Sequence, residues 1–236
     1  MTSRSQILDR IRAVTGPASK GTGFSPYKTS PRISGALAPE GHPDLPRTYI
    51  RNGSLTTSAR IALLIERLRE YDADVTVCTA TDLDACIAHR LRASGRLTFA
   101  APPGLPASWL APGFDWKLDN DLSHEQIEHC DGVVTAAFAA IADSGTIVLH
   151  HSDREGRRIL TLLPDWYLCI LRVGQIVETL PEYFDRCSQP PALATYISGP
   201  SATADIEMTR IKGVHGPRFL NVIVVHDEAQ SSFENN

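Results

Sequence analysis

The 236-residue sequence holds only five cysteines, and no two of them form a C-x-x-C pair. Cys78, Cys86, Cys130, Cys169 and Cys187 are scattered along the chain, so neither a ferredoxin-type cluster nor a structural zinc site is indicated, and no cofactor bound by this chain is expected. An odd thiol count fits a reducing compartment. Long apolar runs are missing as well. Nothing approaches the ~20 residues that a membrane span requires, and the first ten residues carry Ser, Arg, Gln and Asp in place of an apolar leader. A cytoplasmic protein without a membrane span is expected. The formal net charge of -4 gives no general attraction to nucleic acid or to an anionic membrane.

Several signatures are absent. There is no G-x-S-x-G elbow, P-loop or G-x-G-x-x-G, which sets aside serine hydrolase, P-loop NTPase and ordinary dinucleotide chemistry. The stretch from His124 to His129 looks like a zinc helix but has Glu128 where H-E-x-x-H needs its second histidine. His124 and His129 sit about 140 degrees apart on a helix and cannot share an ion on one face. No metal site is expected. Apolar residues make up 42% and charged residues 21%, which suffices for the core of a soluble globular domain.

The apolar pattern divides the chain. Ile7, Leu8, Ile11 and Val14 fall at helical spacing before Gly16-Pro17, and a Gly-, Pro- and Ser-rich arm follows. Residues 1–54 are therefore expected as a helix and an extended arm, which is also a candidate dimerisation element. Residues 55–226 form the main domain, and residues 227–236 a frayed polar tail. Ile61, Leu64, Ile65 and Leu68 predict a helix to about Tyr71, and DVTVCT (74–79) a strand. Thr81 with Asp84 predicts a capped helix carrying Ile87 and Leu91. Further strands are predicted over 97–101, 132–138, 146–150, 168–173, 194–197 and 219–225, and helices over 123–130 and 180–186. Alternating elements of this kind predict an α/β fold with a mostly parallel sheet flanked by helices.

Two polar turns stand out. Ser198 to Arg218 reads SGPSATADIEMTRIKGVHGPR, and a helix capped by Ser201 or Thr203 is predicted from there to Gly213. Its amino end, beside Gly199 and Pro200, offers either an anion site or an ordinary cap whose dipole Asp205 and Glu207 complement. His215 and Arg218, at the far end, are expected to stabilise the turn into the last strand. The Ser144-Gly145-Thr146 turn presents two hydroxyls and a freed N–H, suited to a carboxylate or phosphate, or simply to a turn. Arg157 and Arg158 offer a bidentate clamp or a solvated loop.

The segments AIADSGTIVL (140–149), RRILTLLP (157–164) and SGPSATADIEMTRIKGVHGPR, in that order, resemble the lactate-utilisation protein C family, the LUD domain. SQILDRIRAVTG near the amino terminus resembles that family's opening helix. The resemblance implies a fold similar to ribose-5-phosphate isomerase, glucosamine-6-phosphate deaminase and the CoA transferases. It implies a part in oxidising L-lactate to pyruvate beside two partner proteins that carry iron-sulfur clusters, and the lack of cluster-type cysteines here fits that division of labour. By matching positions, Ser144, Gly145, Thr146, Gly199, Pro200, Ser201, Thr203, Asp205 and Glu207 would line a site for a small anionic ligand. Tyr167 stands where many members of the family have a histidine, and a phenol is a poor base at neutral pH unless its surroundings perturb it.

Three functions follow as expectations. One is an accessory component of L-lactate oxidation. Another is a stand-alone isomerase- or CoA-transferase-like enzyme for a phosphorylated or acyl-CoA ligand, with Glu207 or Asp205 as nucleophile or base. The third is a non-catalytic interaction protein, with the arm joining two copies as a homodimer.

Overall fold

A parallel strand covered on both faces has to be apolar at nearly every position, and residues 219–226 read that way. The computed structural model describes residues 50–187, 189, 191–204, 210–212 and 216–227. The chain divides into two units, Met1–Arg47 and Thr48–Asn236, and only the second is described, in part. The predicted amino-terminal helix, the arm and nearly all of the polar tail lie outside the described residues.

In chain order the strands begin with β1 (Asp74–Thr79), β2 (Thr98–Ala101), β3 (Asp115–Leu118), β4 (Gly132–Ala136), β5 (Ala139–Ile141) and β6 (Thr146–Leu149). They continue with β7 (Trp166–Arg172), β8 (Ile176–Val177), β9 (Thr195–Ile197), β10 (Ala202–Ala204), β11 (Arg210–Lys212) and β12 (Phe219–His226). The helices are α1 (Thr57–Glu70), α2 (Leu83–Ala93), α3 (His124–Glu128) and α4 (Leu180–Arg186). Six strands form the main sheet in the order β1-β12-β7-β4-β2-β3, every neighbour pair parallel. A second sheet, β8-β5-β6-β9, is mixed, and β10 and β11 form an antiparallel pair.

Side chains alternate between the faces of the main sheet, as the period of two demands. Val133, Tyr167, Cys169, Leu171, Val222 and Val224 point to one side, where Leu64 and Leu68 of α1 and Ile147 and Leu149 of the second sheet cover them. Val134, Leu168, Ile170, Ile223 and Val225 point to the other, covered by Leu83, Ile87 and Leu91 of α2 and by Trp109. Each of these buried aliphatic side chains contributes roughly 1.5–3 kcal/mol. The predicted α/β layering with a mostly parallel sheet is what the chain forms.

Local signals account for the helix ends. Thr56 caps α1 by accepting from the Ala59 N–H at 3.2 Å, and Arg67 and Arg69 occupy its last turn, where cations suit the dipole. Thr179 and Glu182 make a reciprocal capping box at α4, as Ser123 and Gln126 do at α3. The capping pair predicted from Thr81 and Asp84 does not form. Asp82 takes the cap position, and its carboxylate instead accepts from the Thr79 hydroxyl at 2.7 Å.

The predicted strand 132–138 is also two elements. It breaks after Ala136, and the chain crosses to the second sheet, where Ala139–Ile141 forms β5 in a stretch for which no strand was predicted.

Candidate functional site

The predicted helix from Ser201 to Gly213 is not formed: Ala202–Ala204 pairs with Arg210–Lys212 as two antiparallel strands, with Thr203 opposite Ile211. The β-branched residues Thr203, Thr209 and Ile211 disfavour a helix, and a short apolar pattern cannot by itself distinguish the two periods. With no helix amino end there, the dipole argument for an anion falls. The Ser201 N–H donates to the Pro217 carbonyl at 2.8 Å instead. Asp205, Glu207 and His215 lie outside the described residues.

The two polar turns do meet. β6 and β9 are antiparallel, with Ile147 opposite Ile197, so Thr146, the first residue of β6, lies beside Ser198, the residue after β9. The hydroxyls of Ser144 and Thr146 are 2.7 Å apart, and those of Thr146 and Ser198 2.8 Å, which makes a chain of three. Gly145 and Gly199 have a different reason to be glycine from the anion approach predicted. Both adopt left-handed backbone, with φ of 62° and 87°. Both are also pressed onto α1, where a Cβ at Gly145 would lie 2.7 Å from Arg67 Cβ and one at Gly199 2.5 Å from Tyr71 Cβ. Gly199→Ala should therefore lower stability by about 2 kcal/mol, through backbone strain and this contact together. Equilibrium urea unfolding measures it, and an unchanged midpoint would show that α1 yields at no cost.

Beside this ribbon, at the amino ends of β7 and β12, lies a cavity of about 320 Å³. Tyr167, Gly199, Pro200 and Ser201 line it, as does Ser198, which carries the hydroxyl chain from the Ser144-Gly145-Thr146 turn to its wall. That turn does not itself line the cavity.

Arg157, predicted as a ligand clamp, is turned away. Its guanidinium donates to both oxygens of Asp119, at 2.8 and 2.5 Å, and to the Leu122 carbonyl at 2.7 Å. Those hydrogen bonds, with the charge of Asp119, raise its pKa further above an already high value. The neighbouring Arg158 lines the cavity and is its only charged lining residue among those described. Its guanidinium has no partner among the described residues. The tandem arginines signalled a cation here, but the choice between them depends on where Asp119 lies.

Tyr167 is enclosed and neutral. The Thr135 hydroxyl donates to the Ala136 carbonyl at 2.8 Å, so its single proton is committed and the Tyr167 hydroxyl must be the donor in their 2.8 Å contact. Burial pushes the phenol well above its ordinary value of 10.0. Its surroundings thus perturb it away from service as a base, and it supplies an apolar wall. Thr195, another lining residue, is held from behind. The Gly156 carbonyl accepts from His151 Nδ1 at 3.0 Å, and Nε2 of the same ring is hydrogen-bonded to the Thr195 hydroxyl at 2.8 Å.

Arg218 lies outside the cavity and secures the entry to β12, as the sequence predicts. It donates to both oxygens of Asp165, at 2.5 and 2.9 Å, and those bonds and its charge hold the Asp165 carboxyl below the usual range.

The LUD domain family pattern matches residues 49–225. A Deinococcus radiodurans protein named Lactate utilization protein C is 41% identical over 164 residues, which are 68% of this chain and 76% of that protein. A Bacillus velezensis protein of the same name is 33% identical over 124 residues, 49% of this chain and 51% of its own length, so this chain spans about half of that relative. The solved structure of a duf162 family protein from Deinococcus radiodurans superposes with a TM-score of 0.62 at 34% identity, covering 73% of this chain and 99% of that one.

Proposed function

Because this chain belongs to the LUD domain family, we propose that it serves in the utilisation of L-lactate as an accessory component that holds a small anionic ligand. The name borne by its relatives supports the pathway, and one observation of the cavity supports the ligand class. Among the described lining residues Arg158 is the single charged group, the others offering hydroxyls, backbone and apolar side chains, and no described residue neutralises it. A guanidinium in that position accepts a carboxylate or phosphate through two parallel hydrogen bonds, with the Ser198 hydroxyl close by. A cavity of about 320 Å³ falls at the small end of ligand sites.

Tyr167 cannot take up a proton at neutral pH, so the cavity binds and orients rather than performing acid-base chemistry through that residue. Electron transfer falls to separate partner proteins carrying iron-sulfur clusters, as the family resemblance implies.

Calorimetric titration of the full chain with pyruvate, L-lactate and inorganic phosphate tests the ligand. At least one should bind, and Arg158→Ala should weaken it tenfold or more while leaving the unfolding midpoint in place. Equal affinity in the variant would overturn the assignment. Affinity capture from lactate-grown cells of the source organism tests the partners, which should be recognisable by their iron-sulfur absorption.

A further inference from the structure

A second cavity lies at the amino ends of β1, β12 and β7, on the face of the main sheet that α2 covers. Side chains alternate along a strand, so where Tyr167 and Leu220 face the Arg158 cavity, their neighbours Trp166 and Asn221 face this one. It measures about 260 Å³. Arg90 and Ser94 from the end of α2 also line it, with Arg96 and Phe219.

Two buried polar groups in this lining lack partners. Asn221 is 7% exposed, and its amide nitrogen donates to the Tyr167 carbonyl at 3.5 Å, a long bond that uses one of its two hydrogens. Its Oδ1 has no partner among the described residues. Trp166 is 4% exposed, and its indole N–H has none either, whereas the Trp116 indole donates to the Ala111 carbonyl at 2.9 Å. The fully sealed side-chain polar atoms without a partner are, among the described residues, Arg60 Nε and Arg90 Nε, so Asn221 Oδ1 and Trp166 Nε1 are open to the cavity. Buried groups of this kind call for a partner, because leaving them unpaired is costly.

The nearby carboxylates are already taken. Asp74 accepts from Arg90 on both oxygens, at 2.7 and 2.5 Å, and those bonds hold its carboxyl below the usual range. Asp165 accepts from Arg218 on both oxygens and from Arg96 at 3.4 Å, so one negative charge stands between two guanidiniums. The excess charge is positive. Arg96 is also fixed in place, since its Nε donates to the Asp131 carbonyl at 3.2 Å, a terminal nitrogen to the Ser94 carbonyl at 3.2 Å, and its guanidinium lies 5.1 Å from the centre of the Phe219 ring. Two of its five N–H groups remain for a ligand.

This pattern selects a ligand class. An amide with a free oxygen beside a free N–H makes a two-point contact with the N6–H and N7 edge of adenine, whereas guanine offers two acceptors on the same edge. We infer that this cavity binds an adenine nucleotide, its base on the Asn221 amide, a further ring nitrogen accepting from the Trp166 indole, and its phosphate on Arg96. The volume is small beside that of drug-sized ligand pockets, so the cavity encloses the base and leaves the phosphate to the excess positive charge of Arg96 and Arg218. Both the buried amide and the fixed guanidinium are in place before the ligand arrives, which limits the ordering cost of binding. The inference is independent of the Arg158 cavity and of its ligand.

Nitrogen-15 NMR of the full-length protein, titrated with adenosine monophosphate, tests it. The Trp166 indole and Asn221 side-chain amide signals should shift saturably. Guanosine monophosphate and the deaza analogue of adenosine monophosphate that lacks N7 should each bind at least about tenfold more weakly, the size of one two-point base contact. Adenosine without its phosphate should be weaker by a similar factor. Asn221→Ala should abolish the preference for adenine over guanine, and Arg158→Ala should leave the affinity for adenosine monophosphate unchanged. Equal affinity of the native protein for the two monophosphates, or for adenosine and its monophosphate, would overturn the inference without recourse to a variant. So would shifts confined to the Gly199 and Gly216 amides, which report the Arg158 cavity.

Discussion

Tyr167→Ala is expected to lower the free energy of unfolding by about 4 kcal/mol, against about 1 kcal/mol for Tyr167→Phe. The ring is 1% exposed and belongs to the cluster that joins the main sheet to α1 and to the second sheet. Truncation to alanine removes its transfer energy and leaves a void among residues on three elements, which cannot close by moving one of them. The phenylalanine variant keeps the packing and forfeits only the 2.8 Å bond to Thr135, whose own donor bond to the Ala136 carbonyl survives. Chemical unfolding of the two variants separates packing from hydrogen bonding. Equal losses would mean that the hydroxyl, not the ring, holds the site. The same pair bears on function, because Tyr167→Phe should leave anion binding in the adjoining cavity unchanged if the phenol has no proton to exchange.

Arg157→Ala is expected to cost about 3 kcal/mol, although the side chain it removes is 42% exposed. The cost arises at the partner. The Asp119 side chain is 2% exposed, and without the guanidinium it keeps only the Leu122 N–H at 3.2 Å. A buried carboxylate left with a single neutral donor is strongly disfavoured. Arg157→Lys should recover only part of the loss, since a single ammonium cannot reproduce the fork onto both oxygens. Pairing Arg157→Ala with Asp119→Asn should cost less than the sum of the two, and strict additivity would show that the pair contributes nothing as a unit. Anion affinity should follow Arg158 and not Arg157, which distinguishes a positioning pair from a binding residue two atoms of backbone away.

Some of this was legible in the residues. DVTVCT read as a strand from its β-branched content, and the run 219–225 from its apolar residues, because a parallel strand covered on both faces needs apolar side chains at consecutive positions, which Val222 to Val225 supply. The α1 stripe of Ile61, Leu64 and Leu68 read as a helix because its period matches 3.6, and those three residues are buried. The stretch after Ser201 misled for the same reason that these succeeded. Ala204, Met208 and Ile211 fit a helical spacing, but cross-strand pairing of Ala202–Ala204 with Arg210–Lys212 is a non-local choice that no window of sequence contains. The second sheet was hidden likewise, since Ala139–Ile141 is too short and too small to signal a strand before β6 and β8 pair with it.

By itself, then, the sequence determined the layered α/β class, the positions of the central strands and main helices, and the family. Those properties follow from local periodicity, from turn chemistry and from motif order. The tertiary structure alone decided which cation faces the cavity, since Asp119 claims Arg157 and leaves Arg158. It alone decided that Gly145 and Gly199 answer to the approach of α1, and that Tyr167 is sealed as a donor to Thr135. The reason is the same in each case. The partner that assigns the role lies between 32 and 128 residues away in the chain, and only folding brings it within a few ångströms.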